Sequence, residues 1–502
     1  MLSRLSSATL RGIEAEPVTI EVDLSRGLPA WVMVGLADTS VKESRERIRS
    51  ALTNAGFEFP LRHITINLSP ADRRKEGSHF DLPVAIGVLL SSGQIESTSP
   101  LPFMAAELGL DGSLRPTRGV LSLAIFAKSQ GFSQMIVAPE NAVEAAMVEG
   151  LDVFSATSLL DVVAHLSAKT VLLPFDGSSL SVELLESSKR LLRDLVDVRG
   201  QHHARRAIEI AAAGQHHLLM VGAPGVGKSM LAERVPSILP PLTSEQQLEV
   251  ARIYSAVGDQ SSRPVMSRVP PYRSPHHTAS DVAMIGGGSI PKPGEVSRAH
   301  RGVLFLDELP EFRRTVLEVL RQPLESGEVC VSRAADSLAF PARFQLIAAM
   351  NPCPCGYLGH VSVTCKCSPT QVQRYQSRLS GPLLDRFDLR IHVPVVDREE
   401  LLRQGEGESS AVVAARVATA RTRQYARQGV ANAELQVKQL QAVASLGADA
   451  QRLVDRAMTR FNLSARSYHR MLKVARTIAD LQGCEDIGVS QISEALQFRE
   501  EI

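Results

Sequence analysis

Aromatic residues are scarce: Phe, Trp and Tyr make up 4% of 502 residues, with a single Trp. Proteins that grip single strands by stacking bases on aromatic rings need more, so no stacking platform is evident. Long apolar runs are missing too. None approaches the roughly 20 residues that cross a bilayer, which excludes a helical membrane protein. The opening segment MLSRLSSATLRGIEAEP has no apolar core of signal-peptide length ahead of Glu14 and Glu16. A cytoplasmic location, with reduced thiols, is therefore expected. Charge of one sign is absent overall: 55 Lys and Arg against 54 Asp and Glu leave +1. The chain as a whole carries no electrostatic footprint for a polyanion.

What is present is an ordinary globular mix, 44% hydrophobic and 22% charged, long enough for roughly three domains at about 150 residues each. Charge is uneven along the chain. Residues 135–187 hold eight acids and one Lys, whereas 412–482 hold twelve Lys and Arg against four acids. A polyanion could meet one end and avoid the other, although a solvated helical domain would read the same way. Alternation in Pro17–Val22 and Ala30–Val34, a helix over Ser40–Ala55, a strand over His63–Leu68 and an apolar stretch over Asp81–Leu90 make residues 1–170 an α/β domain. Residues 171–189 read as a linker. Residues 190–396 form a second α/β segment, and 397–502 carry amphipathic helical patterns.

The chemistry concentrates in the second segment. Gly222, Ala223, Pro224, Gly225, Val226, Gly227, Lys228 and Ser229 match G-x-x-x-x-G-K-[ST] and stand between a strand-like run and a helical MLAERV. Glycines let consecutive backbone N–H groups face one anion, Lys228 reaches outer phosphates, and Ser229 suits Mg2+. Val303–Leu306 reads as a buried strand ending in Asp307 and Glu308, where Asp307 would serve the Mg2+ shell and Glu308 would polarise a water. A third strand, Phe344–Met350, ends in Asn351, whose amide could orient that water or the γ-phosphate. Further on, Arg386 is the candidate for a cation supplied to a neighbouring subunit's nucleotide, or else a surface partner of Asp385 or Asp388. Arg466, Arg470 and Lys473 share one helical face, with Arg466 placed to close over the γ-phosphate from the lid side; a merely solvated stripe has the same spacing.

Cys353, Cys355, Cys365 and Cys367 form two Cys-x-Cys pairs. In a reducing compartment four clustered thiols suggest tetrahedral Zn2+, with free thiols or a redox pair as alternatives. Before them, 327–340 alternates on both sides of Arg333–Asp336 and reads as a β-hairpin with Arg333 at its tip, by itself a solvated cation and, through a likeness to ring motors, a candidate phosphate contact on DNA.

These residues resemble the AAA+ ATPases of the Mg-chelatase-like group. The likeness covers essentially the whole chain and is most specific over 67–85, 197–229, 273–312 and 463–483. It implies that Lys228 and Ser229 are the Walker A pair, Asp307 and Glu308 Walker B, Asn351 sensor 1, Arg386 an arginine finger and Arg466 sensor 2. It further implies an N-terminal domain like that of Lon (an S5 domain 2-like fold), an AAA+ core and a C-terminal helical lid. The function implied is a homohexameric ring that hydrolyses ATP to move along single-stranded and branched DNA. Such a ring would drive branch migration in recombination during natural transformation, beside recombinase machinery and away from membranes. Two other readings stay open: a chelatase motor subunit and a nucleotide-switched scaffold. The Lon likeness also raises proteolysis. The motif places Asp81 at the nucleophile position and Leu121 where the Lys would stand, so no acyl-enzyme is expected, with Ser78 and Lys75 as a residual dyad. Lys75, Arg73 and Arg74 are DNA candidates there.

Overall fold

The computed structural model describes every residue except 1, 98–99, 178–191, 260–267, 289–290, 334–335, 361, 397–406, 461–463 and 500–502. The chain divides into two compact units, Met1–Leu185 with Ser244–Ser267, and Glu186–Thr243 with Arg268–Ile502.

The first unit is built on a four-stranded sheet ordered Leu2–Arg11, Glu14–Ser25, His63–Ser69, Ala30–Val34, antiparallel except for the last pair. In Glu14–Ser25, Val18, Ile20, Val22 and Leu24 are buried while the residues between them are not, the period-two pattern of a sheet with one covered face. The apolar Asp81–Leu90 stretch is the Asp81–Ser92 helix, buried almost all round. It lies close on the sheet at Gly87, where an added Cβ would stand 2.8 Å from Val22 Cγ2. A three-stranded parallel sheet of Phe103–Ala105, Gln134–Val137 and Asp152–Ser155 completes this unit.

The expectation of one unbroken domain over 190–396 differs from the structure at the Ser244–Val257 helix, which belongs to the first unit. Its Ser255 carbonyl accepts from Gly119 N–H at 2.9 Å, its Ser255 Oγ accepts from Leu121 N–H at 3.3 Å, and Arg252 pairs with Glu14 at 2.5 Å. Most of the 171–189 linker and the start of the lid at 397 lie outside the described residues.

The second unit holds a five-stranded parallel sheet in the order Tyr272–Arg273, Val303–Leu306, Gln345–Met350, Leu218–Val221, Leu389–His392. Its central strands are apolar without alternation, as a sheet covered on both faces requires. Leu218, Met220, Phe305, Ile347 and Ile391 face one core, shared with the His202–Gly214 helix and the C-terminal helices. Leu219, Leu304, Leu306, Ala348 and Met350 face a second, with Val316, Leu320 and Phe387. Each fully buried Leu or Ile in these layers contributes roughly 1.5–3 kcal/mol relative to exposure. The lid comprises the helices Ser410–Gln428, Val437–Val443, Ala448–Arg460, Ala465–Gln482 and Val489–Gln497. The α/β first domain, parallel-sheet core and helical end anticipated from the sequence are thus all present. The predicted hairpin forms as Glu328–Arg333 paired with Asp336–Pro341; the side chains of 332–336 are outside the described part.

Candidate active site

Three neighbouring strands deliver the site. Leu218–Val221, Val303–Leu306 and Gln345–Met350 run parallel, so the segments that follow them emerge at the same edge, where open α/β sheets bind ligands. Gly222 N–H donates to the Met350 carbonyl at 3.2 Å. A Cβ there would stand 2.5 Å from the Val393 carbonyl oxygen, so only glycine fits the start of the loop. Gly225 and Gly227 take φ of +78° and +94°, conformations that side chains resist.

Lys228 is buried and donates to the carbonyls of Gly222 at 2.7 Å and Ala223 at 2.9 Å and to Asn351 Oδ1 at 3.1 Å. Burial lowers its pKa, opposed by the charges of Asp307 and Glu308. Ser229 Oγ donates to Asp307 Oδ2 at 2.6 Å. A hydroxyl and a carboxylate held together in this way are the oxygen donors that Mg2+ takes. Glu308 N–H donates to Asp307 Oδ1 at 2.9 Å, and Glu308 itself has φ of +51°, a strained setting for a non-glycine residue. Its carboxylate is half exposed, with Oε2 3.3 Å from His277 Nδ1. Sequence reasoning gave His277 no role; the His276-His277 doublet in the 273–312 stretch was its only trace.

The structure therefore gathers Lys228, Ser229, Asp307 and Asn351 and sets Glu308 next to them. Arg386 is elsewhere. It is 5% exposed, pairs with Glu325, and donates to the Pro382 carbonyl at 2.5 Å. Burial lowers its pKa despite Glu325. Neither Asp385 nor Asp388 is its partner. Asp388 instead accepts from Arg470 Nη1 at 3.1 Å and lies 3.1 Å from His216 Nδ1. Burial alone would raise its pKa, yet the His216 and Arg470 interactions carry it well below the carboxylate range. His216 Nε2 is 2.7 Å from Thr477 Oγ1 on the lid helix. Of Arg466, Arg470 and Lys473 only Arg466 is exposed, its side chain 56% exposed and 4.0 Å from Glu325. Lys473 donates to the Ala433 carbonyl at 2.8 Å.

The four cysteines converge. Cys353 Sγ is 3.4 Å from Cys355 Sγ and 3.6 Å from Cys365 Sγ, Cys355 and Cys365 are 3.6 Å apart, and all four sulfurs lie within 4.8 Å of one another.

In the first unit, Lys75 is buried and donates to the carbonyls of Pro70 and, at 2.8 Å, Arg73. Its ammonium is thus committed to holding a loop rather than to Ser78. Asp81 is fully buried and doubly bonded by Arg47 at 2.6 and 3.0 Å, and Leu121 is buried. Arg73 pairs with Glu16 and Arg74 with Glu76.

Comparison with known proteins matches three family descriptions in succession: "Subunit ChlI of Mg-chelatase" over residues 20–141, "Magnesium chelatase, subunit ChlI" over 194–401, and "Magnesium chelatase, subunit ChlI C-terminal" over 407–499. The chain is 46% identical over 500 residues to the competence protein ComM of Haemophilus influenzae, covering 99% of this chain and 97% of that protein. It belongs to the Mg-chelatase-like AAA+ family of ComM and YifB. The YifB protein of Escherichia coli is 44% identical over 504 residues, covering 99% of this chain and 97% of that protein. The magnesium-chelatase 38 kDa subunit of Cereibacter sphaeroides is 27% identical over 210 residues, 39% of this chain and 56% of that protein. Membership in this AAA+ family implies ATP and Mg2+ as cofactors. Among the described residues no helix is long and apolar enough to cross a membrane.

Proposed function

We propose that the protein is a cytoplasmic, ATP-hydrolysing ring motor that moves along DNA and drives branch migration when incoming DNA recombines during natural transformation. The observation that carries the ATPase reading is the meeting of Lys228, Ser229, Asp307 and Asn351 at one sheet edge. The full-length likeness to a protein named for competence supports the DNA reading.

Lys228 binds the outer phosphates by exchanging the Gly222 and Ala223 carbonyls for phosphate oxygens. Asn351, bonded to Lys228, fixes the ammonium and presents its amide to the γ-phosphate side. Glu308 accepts a proton from the attacking water, and the 3.3 Å approach of His277 sets where that carboxylate points. Mg2+, when held by Ser229 and Asp307, would supply neutralisation of charge on the transferring phosphoryl group. Arg386 acts on the neighbouring subunit's nucleotide in a homohexamer, leaving Glu325 to do so, and Arg466, the exposed cation of the lid helix, closes from its own lid. Arg333 at the 328–341 hairpin contacts DNA phosphates. Zinc is the remaining cofactor in this proposal, on the four cysteines, and recombinase proteins are the expected partners.

The likeness to a magnesium-chelatase subunit favours a second reading, a motor for metal insertion. One measurement separates the two: ATP turnover with and without single-stranded and four-way DNA. Stimulation by DNA supports the DNA motor. A rate indifferent to every DNA tested defeats it.

A further inference from the structure

The cysteine loop stands against the nucleotide site. It begins two residues after Asn351, with the Pro352 carbonyl accepting from Gln376 Nε2 at 3.4 Å. Gly356 has φ of +85°, and a Cβ on it would lie 2.5 and 2.6 Å from Cδ and Cγ of Pro224 and 3.8 Å from Asn351 Cγ. The backbone of the cysteine loop is therefore in direct contact with the phosphate loop. Gly356 N–H closes the turn on the Cys353 carbonyl at 2.9 Å.

The sulfurs are arranged for one ion. Thiolates at about 2.3 Å from a tetrahedral zinc are about 3.8 Å from one another, near the 3.4–3.6 Å seen here. Disulfide sulfurs stand only about 2.05 Å apart. Cys367 N–H approaches Cys365 Sγ at 3.5 Å. Among the described residues no imidazole joins the four sulfurs, and His360 Nδ1 accepts from the N–H groups of Ser362 and Val363 at 3.2 and 3.1 Å.

We infer that Cys353, Cys355, Cys365 and Cys367 form a tetrahedral zinc–thiolate centre that buttresses the phosphate loop through the Gly356–Pro224 contact, so that zinc occupancy sets nucleotide affinity. This rests on the ATP reading of the 222–229 loop. Without the ion, four thiols that must otherwise separate or stay protonated release the loop. Asn351 and Pro224 then lose their backing together.

The test uses the full chain purified without chelator. Elemental analysis gives about one zinc per chain, and replacing zinc by Co2+ produces sulfur-to-metal charge-transfer absorption. Titration with a fluorescent ATP analogue then gives a dissociation constant that rises about tenfold when zinc is chelated, equivalent to one lost charge-assisted hydrogen bond, and recovers when zinc is returned. Cys353→Ser/Cys355→Ser reproduces the chelated state. Gly356→Ala keeps all four thiolates and the zinc yet weakens nucleotide binding, because its Cβ pushes on Pro224. Reduced wild-type protein free of stoichiometric zinc overturns the centre. Zinc present but nucleotide affinity unchanged by chelation and by Gly356→Ala overturns the buttress. A zinc-loaded chain that binds no nucleotide defeats the ATP reading and the buttress with it, while the metal count still decides the centre.

Discussion

Asn351 accepts a hydrogen bond from the Lys228 ammonium at 3.1 Å, joining residues 123 positions apart. Beside it, Ser229 closes on Asp307 at 2.6 Å. Lys228 with Asn351 and Ser229 with Asp307 are thus two bonded pairs at one sheet edge, and each member can be removed separately.

Lys228→Ala is expected to abolish nucleotide binding. Glu308→Gln should retain binding and lose hydrolysis by about 10²-fold or more, the range for removing a general base. Fluorescent-nucleotide titration beside phosphate-release kinetics separates the two, and equal turnover in Glu308→Gln and wild type would end the assignment of Glu308.

Arg386 and Glu325 make a second testable pair. If Arg386 serves a neighbouring subunit, Arg386→Ala chains are inactive alone but regain ATP turnover when mixed with Lys228→Ala chains, since an intact cation then meets an intact loop. Glu325→Gln should preserve turnover, because its partner is released rather than removed. Equal loss in Glu325→Gln and Arg386→Ala, with no recovery on mixing, would make the pair structural.

Asp388 holds Arg470 and His216 together between core and lid. Asp388→Ala leaves the partly buried Arg470 guanidinium and the buried His216 without their shared carboxylate, so the urea midpoint should fall by the equivalent of about 1.5–3 kcal/mol. A shift near zero would show that the network adds nothing to stability.

Burial holds His79 down at about 4 and raises Asp81 to about 6. For His79 the unfolded chain binds the proton more tightly, so its contribution is lost as pH falls from its ordinary 6.5 toward 4. For Asp81 the folded chain binds the proton more tightly, so its contribution grows as pH falls through 6 toward its ordinary 3.8. Each is worth on the order of 3 kcal/mol at its limit, and the two oppose across the same window. Trp31, stacked on Phe59, reports on this unit. Its urea midpoint should be nearly flat from pH 6.5 to 4.5 in wild type, rise on acidification in His79→Gln and fall in Asp81→Asn. Parallel curves for all three would refute the opposition.

The phosphate loop, the Asp307-Glu308 strand end and the Asn351 strand end were legible in the sequence because each is local: an apolar run followed by a fixed polar residue. The cysteine spacing was legible for the same reason. Partnerships across the chain were not. Nothing in Ser380–Asp388 reveals that Arg386 turns to Glu325 and Asp388 to Arg470 and His216, because both acids nearby, Asp385 and Asp388, have a spacing that suits a salt bridge. Lys75 shows the same limit: a Lys three residues from a Ser suggests a dyad, whereas its burial on two carbonyls is decided by tertiary packing.

The Ser244–Val257 helix lies in sequence between the 222–229 loop and the Val303–Leu306 strand, yet packs with the first unit through Arg252 and Ser255. The polypeptide consequently passes between the two units three times. No single cut yields either as a free-standing piece. A truncation ending near residue 170 strips Gly119 and Leu121 of their acceptors, while a fragment starting near 190 strands Ile253 and Tyr254, buried in the intact protein, in water. A splice that exchanges the amino-terminal unit for a homologue's must carry this helix with it as a second, distant insertion.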